Sequence, residues 1–150
     1  MVWSFQRKVN EMFGLGKALK GLVSTGKKIN DKDFMEGVVA ASVIVAFADG
    51  SCSDTEKDKV RSIVSAHPDL KHFNPNDVIQ KFDEYSALFD LDAGMAKSRI
   101  LRELTEIPDA EKRETVYLIA RAVANADGSI GAEETKALTE IAKLMGVKAN

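Results

Sequence analysis

The chain has 150 residues, of which 45% are hydrophobic and 29% charged, and its formal net charge is −2. This length and balance are typical of one globular domain and leave no room for two full hydrophobic cores. The single cysteine excludes an intrachain disulfide, and no apolar run reaches the ~18 residues that a transmembrane helix needs. Because Arg7 and Lys8 interrupt the apolar stretch near the amino terminus, we expect no signal peptide and a cytoplasmic protein.

Residues 1–29 form a basic segment in front of an acidic body. Residues 1–30 contain six Lys or Arg and one acid, a net charge of +5, whereas the rest contains 15 basic and 22 acidic residues, a net charge of −7. Apolar side chains recur every three or four positions over residues 4–23, which predicts an amphipathic helix followed by a linker at residues 26–31. Two positions are open for this helix, on an anionic membrane surface or packed against the acidic body. The width of its apolar face favours packing against the body.

The body, residues 30–150, has the pattern of a series of helices. Ser53 with Glu56 three residues later is a capping box, and Asn74 before Pro75 is a typical helix start. No segment shows the sustained alternation of a β-strand. Together with the amino-terminal helix, the pattern predicts an all-α protein, a single compact bundle of about seven helices. The six helices predicted in the body span residues 31–48, 53–66, 75–88, 93–107, 108–126 and 131–145.

A helical hairpin occurs twice in the sequence, 78 residues apart. Residues 46–51 (AFADGS) align with residues 124–129 (ANADGS), and in each copy a glutamate follows seven residues after the aspartate. Apolar positions of the following helix also match, Val60 with Leu138 and Ile63 with Ile141 in the two copies. The sequence therefore predicts an internal pseudo-repeat of two helical hairpins.

The duplicated Ala-x-Ala-Asp-Gly-Ser pattern, each copy followed by its glutamate, resembles the tellurite-resistance TerB family. Residues 32–37 (KDFMEG), 70–74 (LKHFN) and 89–92 (FDLD) are similar to that family's second helix and middle section. The resemblance covers roughly residues 30–147, a TerB-like helical domain. It implies a seven-helix protein of tellurite resistance and stress response, with metal dependence. It also implies other tellurite-resistance proteins as partners, including a membrane protein, and a place at the inner membrane.

Four acids lie at the duplicated turns: Asp49, Glu56, Asp127 and Glu134. Carboxylates and free carbonyls on short turns are hard oxygen donors, which suit Ca²⁺, Mg²⁺ or Mn²⁺ better than Zn²⁺. The turn is not an EF-hand, because Gly50 directly follows Asp49, and one hairpin supplies too few ligands for Ca²⁺. A cation site therefore requires waters or both hairpins. The alternative is structural, since Asp-Gly ends a helix and a glutamate favours the first turn of the next.

Other chemistry has weaker support in the sequence. The counterpart of Cys52 in the repeat is Ile130, which favours a packing role for the thiol. His67 and His72 have no cysteine nearby, so we expect no zinc site, and no nucleophile elbow or phosphate loop is present. The acidic body argues against a nucleic-acid partner.

We therefore expect a non-enzymatic, divalent-metal-linked binding module or scaffold near the inner membrane. Two alternatives stay open at this point. One is a thiol-dependent tellurite-detoxifying enzyme that uses Cys52. The other is a membrane-surface adaptor that makes peripheral contact with the bilayer through the amino-terminal helix.

Overall fold

The computed structural model describes residues 32–126 and 128–148 of the chain. Within these ranges the chain forms six α-helices and one 3₁₀ turn and contains no β-strand. This confirms the all-α fold class and the six helices predicted in the body, whereas the predicted amino-terminal helix lies outside the described residues. The elements are α1 (Lys32–Ala46), α2 (Asp54–Ser65), the 3₁₀ turn (Pro68–Leu70), α3 (Pro75–Leu91), α4 (Ala93–Leu104), α5 (Ala110–Ala124) and α6 (Ala132–Met145).

Helix α1 is the centre of the bundle and packs against all five other described α-helices. Eleven of its 15 residues are buried, on every side of the helix rather than along one stripe. A helix that is apolar all round is stable in water only when other elements cover it completely. Even the polar Ser42 is satisfied within the helix, because its Oγ donates to the carbonyl of Val38 at 2.8 Å. The burial of α1 therefore determines how the other helices are arranged.

The two predicted hairpins, α1–α2 and α5–α6, pack against each other chiefly through α1 and α5. Helices α3 and α4 pack against each other and against further sides of α1. The second helix of each hairpin buries the apolar positions that match in the repeat, with Ile63 and Ile141 in the core. The two Asp-Gly turns are thereby held on one scaffold.

Two helix ends, those of α3 and α4, differ by three residues from the predicted ones, and the others differ by at most two. Helix α3 continues to Leu91, because Asp92 ends α3 and also caps the start of α4, where its Oδ1 accepts from the N–H of Met95 at 3.1 Å. Helix α4 ends at Leu104, before Pro108, and proline disfavours a helical conformation in the residue before it.

None of the described helices is both long and apolar enough to cross a membrane.

Candidate functional site

The glycines of the two Asp-Gly turns have similar backbone φ angles. Gly50 has a φ of 103° and Gly128 a φ of 91°, in the left-handed region that glycine accepts without strain. The N–H of Gly50 donates to the carbonyl of Phe47 at 2.9 Å, and the N–H of Gly128 donates to the carbonyl of Asn125 at 3.0 Å. The predicted pseudo-repeat therefore extends to individual hydrogen bonds of the turns.

Helices α2 and α6 begin with the same glutamate contact. Glu56 Oε1 accepts from the N–H of Ser53 at 3.2 Å, and Glu134 Oε1 accepts from the N–H of Gly131 at 2.9 Å. The Ser53 hydroxyl accepts in return from the N–H of Glu56 at 3.2 Å, which completes the capping box of α2. Gly131 has no side chain, so α6 keeps only the glutamate half of this arrangement.

The acids of both hairpins line one cleft with a volume of about 320 Å³. Asp49 and Glu56 come from the first hairpin, and Glu134 comes from the second. Three of the four acids predicted as cation ligands are thus brought to one place, while Asp127 lies outside the described residues. Glu133, which sequence comparison of the repeats missed because Thr55 occupies the equivalent position, also lines this cleft.

The donor chemistry of the cleft suits a hard divalent cation, since its charged groups are carboxylates. One oxygen each of Asp49, Glu56 and Glu134, however, already bonds to local backbone; Asp49 Oδ1, for example, accepts from the N–H of Ser51 at 3.3 Å. In the described part of the chain, no group of three or more His, Cys, Asp or Glu residues is arranged to hold a metal ion. A cation in this cleft would therefore need further ligands, and Asp127 is the candidate that the repeat supplies.

Cys52 lies beside this cleft and is 9% exposed. With Glu56 and Glu134 it lines an adjoining cavity of about 260 Å³. Burial, and next the negative charge of Glu56, raise the pKa of the Cys52 thiol to about 11, although Lys57 acts in the opposite direction. The thiolate is the nucleophilic form, so this thiol is poorly suited to covalent or redox chemistry at neutral pH. Its environment matches a packing role.

Phe47 anchors the first turn to two other helices. Its ring stacks on that of Phe89 with a centroid distance of 4.9 Å, and the Lys57 ammonium lies 5.6 Å from its centroid. Lys57 in turn donates to Asp90 Oδ2 at 2.7 Å, which raises the lysine pKa. The turn that carries Asp49 is therefore tied to both α2 and α3.

A buried titratable pair lies away from the cleft, at the 3₁₀ turn. His67 is 1% exposed and Asp69 is 0% exposed, and His67 Nδ1 accepts from the backbone N–H of Asp69 at 3.1 Å. Burial lowers the pKa of His67 to about 4 and raises the pKa of Asp69 to about 6. The sequence feature that marks this 3₁₀ turn is His67 directly before Pro68, a capping residue followed by proline at the first helical position. His72, in contrast, is exposed.

Comparisons with known proteins add to this geometry. A family model described as tellurite resistance protein TerB matches residues 35–150. A protein named Tellurium resistance protein TerB, from Alcaligenes sp, is 26% identical over 99 residues, covering 61% of this chain and 81% of that protein. No solved structure matches the chain significantly.

Proposed function

Because the chain belongs to the tellurite-resistance TerB family, we propose that it serves tellurite resistance as a non-enzymatic binding module linked to a divalent cation. The role in tellurite resistance follows from the family. The cation and the binding role rest on one observation, the cleft of about 320 Å³ that Asp49, Glu56 and Glu134 line together.

The proposed ligands are these three carboxylates and Asp127, which occupies the position equivalent to Asp49 in the second hairpin. Like charges gathered at one surface repel each other, and a bound cation removes that repulsion. Carboxylate oxygens on turns favour Ca²⁺, Mg²⁺ or Mn²⁺, with waters completing the coordination. When bound, the ion would connect the α1–α2 hairpin to the α5–α6 hairpin.

A binding role is favoured over thiol chemistry because Cys52 is buried and its pKa is raised to about 11. At neutral pH only a very small fraction of this thiol is ionised, whereas nucleophilic cysteines are typically activated by a lowered pKa. The cysteine is therefore assigned to packing and the acids to binding.

The partners in this proposal are other tellurite-resistance proteins, including a membrane protein at the inner membrane, which would place the chain in the cytoplasm beside that membrane. The net charge of −7 outside residues 1–30 supports basic partner surfaces.

Calorimetric titration of the full chain with Ca²⁺, Mg²⁺ and Mn²⁺ tests the cation. We expect one of these ions to bind and to raise the unfolding temperature, since a ligand that binds only the folded state stabilises it. Asp49→Asn and Asp127→Asn, made separately, should each weaken binding by about tenfold or more, because losing even an outer partner of a metal ligand costs ~10–100-fold in affinity. Asparagine at position 49 keeps an acceptor for the N–H of Ser51.

The matched control is Glu114→Gln on α5, an exposed acid that does not line the cleft and whose loss should leave the affinity unchanged. Titrations without heat and without a thermal shift for all three ions would remove the cation from the proposal. Equal weakening by the control would show that general surface charge, and not this cleft, attracts the ion.

A further inference from the structure

A second groove lies at the amino-terminal end of α1 and has a volume of about 450 Å³. Its apolar lining is the half-buried Phe73 and the edge of Met35, which is 4% exposed and belongs to the core. Asp77 and Glu84, both exposed on α3, are among its polar lining. An apolar base with acids beside it is the surface that a basic amphipathic helix fits.

The surroundings of this groove are acidic as well. Burial is the largest cause that raises the pKa of Glu103, followed by the negative charges of Glu106 and Glu36; Lys81 acts in the opposite direction, and Asp33 contributes last. Carboxylates of α1 and of the end of α4 therefore lie within electrostatic reach of each other at this end of the bundle.

The two lysines that line the groove, Lys32 and Lys81, offset only part of this charge. Lys81 Nζ lies 3.2 Å from Glu36 Oε2 and 3.2 Å from Glu84 Oε2, and it is 5.4 Å from the centroid of the Tyr85 ring. The groove and its edge thus hold three carboxylates, those of Glu36, Asp77 and Glu84, against the two ammonium groups of Lys32 and Lys81. One negative charge is therefore left for a further cation.

The segment that precedes α1 has the complementary composition. Lys32, the first described residue, itself lines the groove, so the chain before it enters at the edge of the groove. Residues 1–30 carry a net charge of +5, and residues 4–23 have apolar side chains at helical spacing. The linker at residues 26–31 can span up to ~20 Å, which is enough for a helix to fold back over α1 and α3.

We propose that this groove is the docking site of the chain's own residues 4–23, bound as an amphipathic helix within the same molecule. The apolar face of the helix covers Met35 and Phe73, and its lysines lie near Asp77 and Glu84. Attachment through a short linker gives the segment an effective concentration in the millimolar range, so modest contacts suffice for docking.

Trp3 is the sole tryptophan of the chain and directly precedes the segment, so its fluorescence reports on docking. In the full chain at low salt, we expect a blue-shifted Trp3 emission that is protected from acrylamide quenching. Asp77→Lys with Glu84→Lys should abolish this protection, because the reversed charges repel the segment. High salt should reduce the protection in the unmodified chain, since these charges are at the surface.

The matched control is Glu114→Lys with Glu140→Lys, the same charge change on α5 and α6 at exposed residues that line neither this groove nor the cation cleft. This control should keep Trp3 protected. Lys17→Glu with Lys20→Glu should lose the protection, and combining it with the reversed groove should restore part of it. If charge reversal lowers the unfolding temperature strongly, Asp77→Asn with Glu84→Gln tests the same contact and should reduce the protection.

Three results would overturn the proposal. The first is a Trp3 that is equally quenched in the unmodified and groove-reversed chains. The second is protection that increases with protein concentration, which would mean that a second copy binds the segment. The third is protection that appears only with vesicles of anionic lipid, which would assign the segment to a membrane surface.

Discussion

Asp69 is a carboxyl group that the fold buries without a compensating bond. Neither of its side-chain oxygens has a hydrogen-bond partner within the described residues. Burying a charged carboxylate in this way costs several kcal/mol, whereas the protonated acid costs much less. Burial accordingly raises its pKa to about 6, and the neighbouring His67 is held neutral by the same burial.

The two residues should have opposite effects on stability as the pH falls. Between pH 6 and 4 the folded state binds a proton at Asp69 that the unfolded state does not, so this group adds stability as the pH falls. Between pH 6.5 and 4 the unfolded state protonates the histidine while the folded state keeps His67 neutral, so this group removes stability. In the unmodified chain the two effects largely cancel.

Single substitutions should separate these effects. Asp69→Asn leaves only the histidine, and its free energy of unfolding should fall by roughly 2–3 kcal/mol from pH 7 to pH 4. His67→Asn leaves only the carboxyl, and its free energy of unfolding should rise over the same interval. Urea denaturation across this range measures both, and parallel profiles for the two variants would contradict the assignment.

At the scale of elements, the hairpins depend on how their helices end. Gly50 and Gly128 both have positive φ, and nothing lies within 4 Å of a Cβ added at either position, so the backbone conformation is the constraint there. These turns were predictable because Asp-Gly and the Ser53–Glu56 pair are local signals. The end of α3 was not, because a single residue, Asp92, caps two helices at once.

Alanine at a turn glycine should therefore be costly. Gly50→Ala should lower the free energy of unfolding by about 1–2 kcal/mol, the cost of a left-handed conformation for a residue with a Cβ. Gly94→Ala is the matched control, since its added Cβ would meet only Asp92 Oδ1 at 3.7 Å, and it should stabilise α4 by up to ~1 kcal/mol. Guanidinium denaturation compares them, and equal effects would show that positive φ is not the cause.

At the scale of the whole molecule, α1 can contact five helices because small residues permit close approach. A Cβ added at Gly37 would overlap the Cδ1 atom of Ile107, which is 1% exposed and follows α4. The connection between α4 and α5 therefore rests directly on the backbone of α1. This contact joins the middle of the chain to its first described helix.

A double-mutant cycle tests this contact. Gly37→Ala should cost about 1–3 kcal/mol through overpacking, and Ile107→Val about 0.5–1.5 kcal/mol through the lost methyl group. Since valine lacks the Cδ1 atom, the double variant should be less destabilised than the sum of the two changes. Strict additivity in urea denaturation would mean that the two residues do not constrain each other.

The sequence predicted the helices of the body well because caps and periodicity are local. From the repeat it also singled out four acids, and three of them, Asp49, Glu56 and Glu134, line one cleft, while their role as cation ligands stays a prediction. It did not predict the burial of Asp69 or the lining of the second groove, because both depend on which distant helices pack together. The spacing of apolar residues within one segment predicts which face of a helix is buried, but not which distant helix covers that face.

The all-round burial of α1 also has a consequence for how the protein is made. A ribosome completes α1 before the other described helices, while α5, its most extensive partner, and α6 are synthesised last. Helices α2, α3 and α4 can already pack on other sides of α1, but until then the side that α5 and α6 cover stays exposed, and such apolar surface promotes aggregation. A chain that stops before Ala110 would lack this cover altogether, so premature termination should yield an insoluble fragment rather than a smaller working domain.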